Sequence, residues 1–314
     1  MTLGKDKSAA GNETSGDAAD AASHELTEIK SLLFATDLSA RSDRALERAL
    51  ELAGRHGARL TVLHVVDEDL PGTVQSRVIE SARDEIAACV DKYGRPDNIE
   101  LTIRVVPGTD YQDIVQIADL AEADMVVLGI HRNESGEKPL AGTTMERVIR
   151  RGPLPVLVAA NRVMGPYKKV MVAVDFSVYS RFAIRTAVAI APPDTEFHFV
   201  HVFHIPFEGF QPGLETRRAV RADLERDLAE MIDGELAALV GSSLGGRVAG
   251  GQVHRKVIHG GVEAMLRDEV NRAQPDLLVL GTHGRVGISH LVLGSVAEDF
   301  LNRPPCDVMA VKAW

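Results

Sequence analysis

"IKSLLFATDLSARSDRALERALELA" at residues 29–53 and "YKKVMVAVDFSVYSRFAIRTAVAIA" at residues 167–191 are two versions of one pattern. Each runs from an apolar segment into an Asp, a Ser and a polar turn, and then into a stretch whose small apolar residues recur at three and four. Short Val/Leu/Ile runs without polar alternation suit strands buried on both faces of a parallel sheet, and the spacing that follows suits an amphipathic helix. "SDRALERALELAGRHG" at 42–57 opens on Ser and Asp and stops at glycine, which are helix start and stop signals. A strand-turn-helix unit written twice indicates an internal duplication.

The duplication continues along the chain. "RLTVLHVVDE" (59–68) matches "EFHFVHVFHI" (196–205), pairing His64 with His201 and Val65 with Val202. "VVPGTDYQDIVQIADLAEADMVVLGIHR" (105–132) matches "VIHGGVEAMLRDEVNRAQPDLLVLGTHG" (257–284), with Gly129 and Gly281 closing the apolar runs. The copies end in "PLPVLVAA" (153–160) and "PPCDVMAV" (304–311). The offset is 138 between Asp37 and Asp175, 137 at the histidines and 152 at the glycines. The second copy therefore carries fifteen extra residues between its second and third strands, within 207–246. A lengthened helix is the expectation there, with a flap over a site as the other reading. The pattern predicts an α/β protein of two tandem doubly wound domains, each a Rossmann-like parallel sheet of five strands. Their expected bounds are 28–160 and 168–314, after a solvated tail at 1–27, with "NRVMGPY" at 161–167 as the hinge.

Composition excludes several roles. A chain of 314 residues with 45% hydrophobic content can bury two domain cores. Its net charge of -10 and lack of any Lys/Arg-rich run give a nucleic acid or an anionic membrane nothing to grip, and 4% aromatics provide no base-stacking platform. Cys89 and Cys306 form neither a metal-ligand spacing nor a disulfide framework, which fits a reducing cytoplasm. Every apolar run is well short of the ~20 residues that span a bilayer. The tail lacks the apolar middle of a secretory signal.

The candidate site lies in "GTHGRVGISHLVLGS" (281–295), which leaves one predicted strand and enters a predicted helix. Open α/β sheets bind ligands outside the carboxyl ends of their strands, where strand order reverses. A helix beginning near Ser295 presents unpaired N–H groups and a positive dipole end, and glycines let anionic oxygens come close. The loop has neither the Gly-x4-Gly-Lys-Ser/Thr of a P-loop nor the Gly-x-Gly-x2-Gly of a dinucleotide fold. "ATDLSARS" and "AVDFSVYS" lack the Ser-Gly-Gly-x-Asp-Ser loop of adenylating pyrophosphatases, and no aspartate ends the third strand as a receiver domain needs.

The spacing of Gly281, Gly284, Gly294 and Ser295 resembles the ATP-binding signature of the universal stress protein family, glycine-x2-glycine-x9-glycine-Ser/Thr. "VAVDFS" and "FVHVFH" resemble the same family's first and second strand ends, so the resemblance covers residues 28–314 as two copies of the HUP-type domain. It implies that Ala173, Val174 and Asp175 lie beside adenosine and that the Val202 backbone meets adenine. It also implies that Gly281, Gly284, Gly294, Ser295 and Val296 hold ribose and phosphates, with His283 and Arg285 in reach of the phosphates. An aspartate after a strand is also a common helix cap, and the two roles can coexist. In the first copy Gly129, Gly142 and Thr143 keep their places, but Arg132 stands where the signature has Gly284. Together with Asp37 and Val65 these residues form the weaker site.

The function implied is an ATP-binding stress-response regulator that changes conformation or affinity for a protein partner. A slow Mg²⁺-dependent ATPase is one alternative, with Asp175 and His283 the nearby groups and no residue carrying a catalytic motif. A zinc module built on His198, His201 and His204 is another, although on a strand His201 points away from the other two. Domains of this family commonly pair through the last strand. The tandem chain thus resembles a dimer fused into one polypeptide with a pseudo-twofold axis, leaving room for further self-association.

Overall fold

The structure is a computed structural model that describes residues 28–130, 142–204, 213–240, 252–283 and 293–312. The first half runs β1 (Ser31–Ala35), α1 (Ser42–His56), β2 (Arg59–Asp67), α2 (Gly72–Tyr93), β3 (Leu101–Gly108), α3 (Asp110–Leu120), β4 (Met125–Gly129), α4 (Thr144–Arg151) and β5 (Val156–Ala159). The second repeats it as β6 (Lys169–Ala173), α5 (Val178–Ile190), β7 (Glu196–Phe203), α6 (Leu214–Val240), β8 (Val253–His259), α7 (Val262–Ala273), β9 (Leu277–Gly281), α8 (Ser295–Asn302) and β10 (Asp307–Val311).

All ten strands form one sheet in the order β3-β2-β1-β4-β5-β10-β9-β6-β7-β8. The order reads the same from either edge once each strand is replaced by its repeat partner. Strand pairs within each half are parallel, and β5 meets β10 antiparallel, with Val158 opposite Val308, Leu157 opposite Met309 and Val156 opposite Ala310. A local twofold therefore passes between Leu157 and Met309.

Burial on both faces explains the unbroken apolar runs. On β6, Val170 and Val172 pack on one face with Ala183 and Ile184 of α5, while Met171 packs on the other with Leu266 of α7 and Phe300 of α8. Each of these side chains larger than alanine contributes about 1.5–3 kcal/mol by leaving water. The predicted insertion appears in part as helix: α6 has 27 residues where α2 has 22. The rest of the insertion lies outside the described residues. Among the described residues no helix is long and apolar enough to cross a membrane.

The segment expected to hinge is fastened at both ends. Asp307, fully buried at the start of β10, accepts the backbone N–H groups of Ala160 (2.9 Å) and Asn161 (3.0 Å) and the Tyr167 hydroxyl (2.8 Å). Arg48 of α1 donates to Asp307 from Nε at 3.1 Å and to the Gly165 carbonyl at 3.0 Å, with its guanidinium 4.1 Å above the Tyr167 ring. The sequence showed a short polar stretch with a glycine and a proline, and gave no sign of a carboxylate 146 positions away.

Candidate functional site

Each half builds the same turn at the carboxyl end of its central strand. After β6, Asp175 Oδ1 accepts the Ser177 N–H at 3.0 Å and the Ser180 hydroxyl at 2.6 Å, and Ser177 caps α5 by accepting from the Ser180 N–H. After β1, Asp37 Oδ1 accepts the Ser39 N–H at 3.0 Å and the Ser42 hydroxyl at 2.5 Å. The residue after each aspartate has positive φ, 60° at Leu38 and 64° at Phe176. Non-glycine residues rarely occupy that region, and strain of this kind clusters where a loop must be held in one shape. The helix-cap role foreseen for the aspartate falls to other residues, Ser177 at α5 and Arg41 at α1, while each aspartate braces the turn ahead of its helix.

The next strand contributes a histidine and a backbone edge. His201 Nδ1 lies 2.6 Å from the Val174 carbonyl, and His64 Nδ1 lies 2.8 Å from the Thr36 carbonyl. A carbonyl only accepts, so in each case Nδ1 carries the proton. The last ladder bond between β6 and β7 runs from the Val174 N–H to the Val200 carbonyl, at 2.9 Å. Successive residues of a parallel strand face alternate neighbours. Val202 therefore turns its N–H and carbonyl to the side of Val200, beyond the end of β6, into the crevice above that strand. Val65 does the same in the first half, two residues after Leu63, whose carbonyl accepts the Thr36 N–H.

The third wall is the end of β9, which adjoins β6 where strand order reverses, with the described ends of the loop that follows it. A β-carbon on Gly281 would lie 2.9 Å from Tyr179 Cβ, and one on Gly294 would lie 3.3 Å from the Thr282 carbonyl oxygen. Packing of the chain on itself thus demands glycine at 281 and leaves a β-carbon at 294 little room. Gly294 donates to that Thr282 carbonyl at 2.8 Å, drawing the two ends of the loop together. His283 lies here too, with its Nδ1 2.9 Å from the Thr282 hydroxyl and its ring 5.1 Å from that of Tyr179. Ala173, Val174, Asp175, Val202, Gly281, His283, Gly294, Ser295 and Val296 thus gather at one end of the sheet. Gly284 and Arg285 lie outside the described residues, as does Arg132 in the first half.

The two helices that follow these loops begin differently. Thr143 caps α4 by accepting the Glu146 N–H at 3.1 Å, and Glu146 turns its carboxylate back to the Gly142 N–H at 2.5 Å. That carboxylate, 8% exposed with its residue, takes the place an anion would take at a helix start. α8 starts after Gly294 with no side-chain cap among the described residues, and Ser295 is exposed. Glu146 was not singled out in the sequence, although Thr-x-x-Glu is the capping-box spacing that could have found it.

The three histidines considered for zinc do not come together. His201 is buried against Val174 and Phe176, while His198 points to the opposite face, 2.6 Å from Glu196. His204 is exposed past the end of β7.

Comparison with known proteins agrees with this architecture. The model of the universal stress protein family matches residues 28–160 and again 166–312. A universal stress protein of Mycobacterium tuberculosis is 26% identical over 300 residues, covering 90% of this chain and 96% of that protein. Universal stress protein A homolog 1 of Coxiella burnetii is 31% identical over 147 residues, 46% of this chain and 96% of its own length. The crystal structure of a universal stress protein from Archaeoglobus fulgidus superposes with a TM-score of 0.62 at 18% identity, covering 91% of this chain and 97% of that one.

Proposed function

The chain belongs to the universal stress protein family, and from that premise we propose that it is a cytoplasmic ATP-binding regulator whose second domain holds the nucleotide. One observation carries the choice of domain: the start of α4 is filled by its own Glu146 carboxylate, whereas among the described residues α8 begins without a side-chain cap beside an exposed Ser295. In this reading the phosphates lie against the α8 amides and the Ser295 hydroxyl, with Gly284 letting the backbone approach and His283 and Arg285 at the rim. Adenine meets the Val202 backbone edge, and the adenosine lies along Ala173, Val174 and Asp175. Mg²⁺ would accompany the triphosphate and neutralise its charge.

Binding, rather than hydrolysis, is the function this geometry favours. The Asp175 oxygen that faces the turn already accepts from two serine hydroxyls and a backbone N–H, which leaves it poorly placed to take a proton from water. Binding would instead bridge β6, β7 and the loop after β9, three elements that partner contacts could read.

The test is thermal unfolding of the full chain with and without ATP and Mg²⁺. A ligand at a hundred times its dissociation constant stabilises by about 2.7 kcal/mol. Gly284→Arg, which copies the first half, should remove that stabilisation. Undiminished stabilisation in this variant would move the ligand elsewhere.

A further inference from the structure

Glu196, His198 and His254 meet at the amino ends of β7 and β8, the end of the sheet opposite the candidate nucleotide site. Six residues of extended strand, about 20 Å, separate Glu196 from Val202. The sheet itself makes the grouping. Glu196 and His198 are two apart on β7 and share a face, and His198 stands in register with His254 on β8. The two rings stack 4.7 Å apart at 27°. Their Nε2 atoms lie 2.6 Å (His198) and 3.3 Å (His254) from the same Glu196 Oε1. One donor atom from each of the three lies within 4.8 Å of the others. Lys169 approaches the other carboxylate oxygen, with Nζ 3.8 Å from Oε2, while donating to the Ala273 carbonyl.

We propose that Glu196, His198 and His254 form a binding site for a divalent transition metal of the zinc class. Two imidazoles and a carboxylate are a known zinc donor set, and three protein ligands leave a fourth position for water. Zinc bonds of about 2.1 Å in a tetrahedron put ligand atoms roughly 3.4 Å apart. The Glu196–His254 separation of 3.3 Å is already close to that value, and the His198–Glu196 hydrogen bond would open by less than about 1 Å as the ion replaced it. His254, half exposed, gives the ion a route in from solvent.

The first half is an internal control. Its register-matched positions are Arg59, Thr61 and Thr102, with Thr61 opposite Thr102. The same strand pairing therefore forms without this donor set.

The experiment is calorimetric titration of metal-free, full-length protein with zinc chloride in the absence of nucleotide. One saturable site per chain is expected, with a rise in the unfolding midpoint. The double variant His198→Thr/His254→Thr, borrowing the first half's residues, should keep the wild-type circular dichroism spectrum. Its zinc affinity should fall by more than roughly a hundredfold, beyond what outer-shell substitutions alone cost. Histidine side-chain NMR of the wild type gives a readout that needs no variant. Zinc should move the His198 and His254 signals and leave those of His64 and His201 in place. Wild-type affinity in the double variant, unmoved His198 and His254 signals, or no saturable binding by the wild type overturns the assignment. Gly284→Arg should titrate with zinc as the wild type does, so this site and the nucleotide site stand or fall separately.

Discussion

Asp37 and Asp175 do the same local work, and their paired environments separate structure from binding. Burial pushes the Asp37 carboxyl up, but hydrogen bonds from Ser42 and Ser39 outweigh it and hold the group below its ordinary value. Its contribution to stability is complete above the ordinary value of 3.8 and is lost as pH falls from there through the lower folded value. Asp37→Asn should cost about 1 kcal/mol at neutral pH, since the side chain is exposed enough for solvent to screen it. Urea denaturation should show the gap to wild type closing in acid. Asp175→Asn should cost a similar amount, and it alone should also weaken ATP binding in calorimetry. Equal ATP affinity in wild type and Asp175→Asn would leave this aspartate as a turn former in both halves. The sequence displayed both aspartates because the pattern repeats them. It did not display Tyr179, whose contact with Gly281 depends on how α5 lies against β9.

α4 and α8 have matching lengths and matching Thr/Ser starts, yet their amino ends are in different states. Thr143 accepts a backbone N–H, so Thr143→Ala should lower stability by about 1 kcal/mol in chemical denaturation. Ser295 lies exposed one residue inside α8, after a glycine cap, so Ser295→Ala should stay within about 0.5 kcal/mol of wild type. Its effect should appear in ATP affinity instead, and a stability loss equal to that of Thr143→Ala would contradict the uncapped reading. Glycine spacing located the start of α8 near Ser295 and, through Gly142 and Thr143, the matching place in the first half, because that is a local signal. Which one was closed by its own carboxylate depended on where Glu146 turned.

Across the whole molecule, the two halves share a sheet but are locked by an asymmetric device. The repeat places Pro155 where the second half has Asp307 and Thr186 where the first has Arg48. The buried Arg48–Asp307 pair and the Tyr167 hydroxyl therefore occur on one side of the twofold only. Removing one member of a buried pair leaves the other uncompensated and costs about 3–5 kcal/mol. Asp307→Ala should lose that much in urea unfolding and should expose 161–167 to limited proteolysis. A loss under about 1 kcal/mol would mean that the latch adds little to what the β5–β10 pairing and the Arg55–Ile190 and Lys312–Arg150 hydrogen bonds already supply.

By itself the sequence determined the duplication, the α/β class, the strand and helix order and the loop that carries the candidate nucleotide site. The class, the order and the loop are written in periodicity and glycine spacing within a few tens of residues, and the duplication in a pattern repeated at an offset of 137 to 152. The resemblance points to pairing through the last strands; tertiary structure alone decided the register of that β5–β10 junction, the Asp307 latch across the linker, the filling of the α4 start and the meeting of Glu196, His198 and His254. Those contacts join residues that the chain separates widely or leaves free to turn either way. They are fixed only when strand register and helix packing bring particular atoms within hydrogen-bond reach.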